Sequence, residues 1–123
     1  MWSLRLSSKQ RQGQQGEQRA LTYLQQQGLK LVEANFSCKC GEIDLILRDG
    51  PALVFVEVRQ RADCDHGGAA ASITPAKSRR IVAAAQTYLQ RFPRMPQCRI
   101  DVVAIDGDKL EWLTNAVQAP GHA

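Results

Sequence analysis

Residues 41–59 read GEIDLILRDGPALVFVEVR. In the second half, Leu53-Val54-Phe55-Val56-Glu57-Val58-Arg59, apolar residues occupy both parities, the pattern of a central strand covered on both faces. In the first half, Gly41-Glu42-Ile43-Asp44-Leu45-Ile46-Leu47 does the same. Arg48-Asp49-Gly50-Pro51 between them is a hairpin signal. Each strand carries an interior acid, Asp44 or Glu57. A buried carboxylate is costly unless it is paired, hydrogen-bonded or bound to a metal. Two such acids on paired strands imply a built site.

Outward from the hairpin, the pattern predicts a helix from Lys9 or Gly13 to Gln27, stopped by Gly28 as its C-terminal cap. A strand over 29–36 and a turn at Cys38-Lys39-Cys40-Gly41 lead to the hairpin strands, 42–48 and 52–60. Residues 61–73, rich in Gly and Ala, read as a mobile loop. Thr74-Pro75 is an N-cap followed by proline at the first helical position. The helix it opens runs to Phe92, with Ile81, Ala84, Ala85, Tyr88 and Leu89 facing inward. A strand over 98–105 and a short edge strand from Lys109 to Leu113 complete the core, and the tail from Asn115 reads as disordered. The order α-β-β-β-α-β argues for an α/β fold, a mixed central sheet flanked by helices. The expected organisation is a single domain over 1–123 with an ordered core over about 9–113.

The chain has 123 residues, 44% apolar and 23% charged, ordinary for a globular protein with a real core. No stretch approaches a membrane span and no apolar signal segment opens the chain, so a cytoplasmic protein without membrane partners is expected. Four cysteines in that compartment are expected to be free thiols. The net charge of +4 permits an anionic partner such as nucleic acid.

Parity places Glu42, Asp44 and Ile46 on one face of their strand and Ile43, Leu45 and Leu47 on the other. Leu53, Phe55, Glu57 and Arg59 share a face of the next strand, so Asp44 and Glu57 are candidate cross-strand neighbours. Glu17 precedes Ala20, Leu21 and Leu24 by three, four and seven residues and leans toward the same interior. Two carboxylates about 5 Å apart at an effective dielectric of about 20 repel by roughly 3 kcal/mol, about two pKa units. Arg59 cancels one charge. A hard divalent cation, Mg²⁺ or Mn²⁺, suits the remaining oxygen ligands. Such an ion activates water and polarises phosphate oxygens.

Gly41-Glu42-Ile43-Asp44-Leu45-Ile46 with Val54-Phe55-Val56-Glu57-Val58-Arg59-Gln60-Arg61 resembles the YraN family of bacterial proteins. That family is itself similar to the restriction-endonuclease-like fold, including Holliday-junction resolvases. The resemblance takes in Gly16-Glu17, Ala20 and Tyr23-Leu24, and Arg99-Ile100-Asp101-Val102-Val103. It covers roughly residues 12–113 and implies a metal-dependent nuclease acting on DNA, including branched or structured forms, and by analogy a homodimer. The implied metal ligands are Asp44, Glu57 and the Val58 carbonyl. Glu17 assists through a bound water or a second ion. Arg59 falls where the nuclease pattern has lysine. Arginine stays charged and cannot act as a base, but it can hold a phosphate. The alternative this departure opens is a nucleic-acid-binding protein that has lost cleavage. A third reading is a structural protein whose acids form a closed salt-bridge network.

Lys77, Arg79 and Arg80 fall in the first turns of the second helix, where helix N-terminus and cations together suit phosphate. With Arg61 they are the candidate nucleic-acid contacts. Cys38-x-Cys40 with Cys64-x-His66 is a weak rival zinc pattern. Cys98 reads as core, and Asp101 as a structural acid capping a loop or pairing with an arginine.

Overall fold

The computed structural model describes residues 8–61 and 73–118, with side chains from Gln15 onward except that of Arg61. Its elements are α1 (Ser8–Gln26), β1 (Lys30–Cys38), β2 (Gly41–Asp49), β3 (Ala52–Arg61), α2 (Pro75–Leu89), β4 (Cys98–Asp106) and β5 (Lys109–Val117). The five strands form one sheet in the order β1-β2-β3-β4-β5. β3 and β4 are parallel and every other pair is antiparallel. α2 is the crossover between the parallel strands. Among the described residues no helix is long and apolar enough to cross a membrane.

Local chemistry accounts for the punctuation. Gly28 ends α1 in the left-handed region at φ 100°. Gly50, at φ 58°, opens the two-residue Gly50-Pro51 loop that sets Asp49 opposite Ala52. Thr74 caps α2 by accepting the Lys77 N–H at 3.2 Å, with Pro75 following.

The sheet is covered on both faces. On one, Ile46, Leu53 and Phe55 pack with Ile81, Ala84, Ala85, Tyr88 and Leu89 of α2. Tyr88 meets Phe36 and Phe55 edge-on, with ring centroids 5.2 and 5.8 Å away. On the other, Leu45, Leu47, Val54, Val56, Val103 and Ile105 pack with Ala20 and Leu24 of α1. This is the α/β, restriction-endonuclease-like architecture expected from the sequence, a mixed sheet between two helices.

Four details differ from expectation. α2 stops at Leu89, because the N–H groups of Gln90, Arg91 and Phe92 turn to carbonyls three residues back. β5 does not end at Leu113 but continues through Asn115 to Val117, which is buried. Cys98 is exposed rather than core, because it opens β4 at the sheet's rim. Lastly, the alternation along β2 breaks. Ile43 joins the α2-side cluster with Ile46, whereas Leu45 and Leu47 belong to the α1 side. Opposite this break, between the pairs Ala34–Leu45 and Phe36–Ile43, Asn35 adopts the left-handed conformation at φ 57°. Asparagine tolerates this geometry better than other side-chain-bearing residues.

Gly41 sits where β2 meets α2. A Cβ there would stand 2.9 Å from the Arg80 carbonyl oxygen and 3.2 Å from Arg80 Cβ. Gly41→Ala is therefore expected to push α2 outward at a cost of about 1–3 kcal/mol. A lowered urea midpoint at unchanged m-value checks it.

Candidate functional site

Pairing between β2 and β3 ends at Leu45–Val56. Beyond that point the strands part, and the Val58 N–H donates to Asp44 Oδ2 at 2.8 Å instead of to a β2 carbonyl. The splay opens a cavity of about 590 Å³ lined by Glu17, Glu42, Asp44, Glu57, Arg59 and Gln60, with Lys77 and Arg80 reaching it from α2. Asp44 and Glu57 are thus brought together, although across the end of the ladder rather than as a paired position. Glu17 joins them from α1, as its helical spacing predicted.

The electrostatics follow from crowding. Burial first, then the Asp44 charge, pushes Glu57 up to about 8, against the opposing pull of Arg59. Arg59 Nη1 stands 3.3 Å from Glu57 Oε1. Burial also raises Asp44, opposed chiefly by the Val58 N–H and by a hydrogen bond from Glu57. Burial thus raises both carboxyls, and a hydrogen bond joins them. Glu17 is pushed up to about 7 by burial and by the charges of Asp44 and Glu42, while the Asn35 side chain pulls it down. Four carboxylates, Glu17, Glu42, Asp44 and Glu57, thus face three cations, Arg59, Lys77 and Arg80, in one cavity.

Not every expected residue takes part. Arg79 is exposed and lies off the cavity wall. The side chain of Arg61 lies outside the described residues, as do Cys64 and His66, so half of the zinc pattern falls there too. Glu42 does take part, from an exposed position on the rim, where its charge raises Glu17. Asp101 lies elsewhere, fully buried and bonded to Arg99, Trp112 and Asn115. Two residues were not anticipated. Asn35 holds Glu17 from β1. Gln60 packs against Gly16 of α1, and its Oε1 is buried without a hydrogen-bond partner.

Among the described residues no three His, Cys, Asp or Glu side chains form a ready-made metal cluster. Asp44 and Glu57, with main-chain oxygen, are a two-carboxylate set. Mg²⁺ is commonly held by one or two carboxylates, with waters and phosphates completing its shell. The residues present fit such an ion.

Residues 16–105, spanning every acid and base of the cavity, match the family described as "Uncharacterised protein family UPF0102". The chain belongs to that family. UPF0102 proteins similar to it include one from Herminiimonas arsenicoxydans, 57% identical over 113 residues, 92% of this chain and 91% of the relative. Another, from Janthinobacterium, is 58% identical over 113 residues, 92% of each chain. One from Cupriavidus metallidurans is 59% identical over 111 residues, 89% of this chain and 83% of that one. The UPF0102 match thus extends over both carboxylate strands, α2 and the part of α1 from Gly16 onward that carries Glu17.

Proposed function

We propose that this protein is a Mg²⁺- or Mn²⁺-dependent nuclease hydrolysing phosphodiester bonds of DNA in the cytoplasm. One observation carries the reading: Asp44 and Glu57, both raised by burial, line one wall of a cavity that also holds Lys77 and Arg80. In this reading Asp44, Glu57 and the Val58 carbonyl hold the ion. When bound, it polarises a phosphoryl oxygen and lowers the pKa of water. The chain's own groups do the rest. Lys77 and Arg80 at the α2 N-terminus take the flanking backbone phosphates, with Arg61 and Arg79 extending the track. Glu17, whose pKa lies near neutrality, accepts a proton from the attacking water. Arg59 holds the scissile phosphate and stabilises the charge that develops on it.

The assay is cleavage of linear, branched and single-stranded substrates in Mg²⁺ or Mn²⁺. Arg59→Lys separates this reading from a binding module without cleavage, which the Arg59–Glu57 ion pair favours. If Arg59 is a phosphate ligand, the substitution lowers kcat/KM by about tenfold through loss of the planar fork. A rise in activity would assign Arg59 a suppressing role.

A pH prediction follows from the raised carboxyls. Glu17 and Glu57 stabilise the fold as acids, so their contribution is full below about pH 4.5 and fades as pH rises through about 7 and about 8. For Glu57 the loss is on the order of 3 kcal/mol, or about 10 °C in Tm. A divalent ion requires the ionised forms, so its stabilising effect grows over the same range. Melting curves at about pH 5.5 and 8.5, with and without Mg²⁺, check both signs. Absence of any Mg²⁺ gain at the higher pH would remove the metal from the proposal.

A further inference from the structure

The turn joining β1 and β2 places two thiols together, outside the lining of the carboxylate cavity. Cys38 Sγ and Cys40 Sγ lie 3.4 Å apart, and Cys40 Sγ lies 3.4 Å from the Thr87 hydroxyl of α2. Cys40 is exposed and Cys38 half-buried, and both are free thiols. Cys38 packs against the edge of the α2-side cluster and Cys40 lies outside it, and the nuclease reading uses neither. A sulfur–sulfur bond measures about 2.05 Å, so modest side-chain rotation about the turn would close this contact into a bond. Burial alone would push the Cys38 thiol up. Hydrogen bonding with the Cys40 thiol, the N–H groups of Cys40 and Gly41 and the Thr87 hydroxyl outweighs it and brings the thiol below its usual value. Cys98 is the contrast: exposed at the rim, it is partly desolvated by its neighbours, which raises its thiol. Thiolate is the nucleophile in thiol–disulfide exchange, so Cys38 is the attacking sulfur and Cys40 the resolving one.

We propose that Cys38 and Cys40 form a redox-active dithiol that exchanges with low-molecular-weight disulfides to close a Cys38–Cys40 disulfide in the β1–β2 turn. In the first step the Cys38 thiolate attacks one sulfur of the external disulfide. Its S–S bond breaks, a mixed disulfide forms on Cys38, and one small thiolate leaves. Cys40, once deprotonated, attacks the Cys38 sulfur. The Cys38–Cys40 bond forms as the second small thiolate leaves. The two cysteines are oxidised by two electrons and the external disulfide is reduced to two thiols. Closure draws Cys40 from Thr87, whose hydroxyl keeps its bond to the Ala83 carbonyl at 2.9 Å.

The test uses the full-length folded protein with Cys64→Ser, equilibrated with mixtures of reduced and oxidised glutathione. Intact mass and peptide mapping read the products. The expected species has lost two thiol hydrogens, carries no glutathione, and links Cys38 to Cys40. Adding Cys40→Ser is expected to stop the reaction halfway, with one glutathione retained on Cys38. With limiting iodoacetamide at neutral pH, Cys38 should be alkylated at least about tenfold faster than Cys98. If Cys38 and Cys40 stay free across the glutathione series, or Cys98 takes glutathione as readily as Cys38, the dithiol assignment is overturned.

Discussion

Asp44→Asn is expected to remove metal-dependent cleavage by at least about a thousandfold while leaving the fold intact. The substitution is nearly isosteric. An amide oxygen still accepts the Val58 N–H that Asp44 Oδ2 accepts at 2.8 Å, so the strand splay that forms the cavity persists. What disappears is the charge. An ion held by two carboxylates loses half of its protein charge, and stabilisation of about 4 kcal/mol forgone in the transition state corresponds to that factor. A second effect distinguishes this outcome from simple damage. The Asp44 charge is the second-largest contribution raising Glu57, after burial. In the variant Glu57 should therefore ionise at lower pH, and the Mg²⁺-dependent rise in Tm should vanish even though the protein melts normally. NMR titration of the Glu57 carboxyl alongside the cleavage assay reads both. A variant that cleaves within about tenfold of the parent, with Glu57 unchanged, would disconnect Asp44 from any chemistry in this cavity.

The acids could be read from sequence because each breaks a local pattern. Asp44 and Glu57 interrupt apolar strands, and Glu17 sits on an apolar helical stripe. Those violations need only a short window to be seen, as do the Gly50 hairpin and the Thr74 cap. The missed features depend on partners far along the chain. Thr114-Asn115-Ala116 has no apolar alternation, so it reads as tail. It is strand because the Asp101 carboxylate, fourteen residues earlier, accepts the Asn115 N–H at 2.8 Å. Asn35 reads as an ordinary polar strand residue. Its left-handed backbone and its bond to Glu17 emerge only when α1 packs across β1. The break of faces between Ile43 and Leu45 follows from the same irregularity, and strict period-two reasoning has no means of registering it. The packing of Gln60 has no local signal, because its neighbour Gly16 lies on another element.

Asp101 carries the largest stability effect. It is fully buried. Arg99 Nε stands 3.1 Å from each of its carboxylate oxygens, Trp112 Nε1 donates at 2.9 Å and the Asn115 N–H at 2.8 Å. Arg99 continues the chain to Asp49, with Nη2 3.0 Å from Oδ2. One carboxylate thus ties β4 to β5 and, through Arg99, to the β2–β3 hairpin. Its position coincides with the register shift between Ile100 and Val102. There the regular ladder lapses, and the side chain takes the place of a backbone acceptor. Asp101→Ala leaves the Trp112 and Asn115 N–H groups without their acceptor, each costing about 1–3 kcal/mol. Arg99 loses one counter-charge but remains partly exposed and keeps Asp49, so its share is smaller. The sum is a loss of about 3–5 kcal/mol, comparable with breaking a buried ion pair by removing one partner. Trp112→Phe, which removes a single donor, should cost about 1 kcal/mol. Because the break is local, hydrogen exchange should accelerate first in β5 from Asn115 to Val117, before β2 and β3 respond. Cleavage per folded molecule, measured well below the lowered Tm, should be unchanged, since Asp101 does not line the carboxylate cavity. Urea unfolding of the two variants settles the order. An Asp101→Ala cost under about 1 kcal/mol would mean that the four bonds do not hold β5 in place.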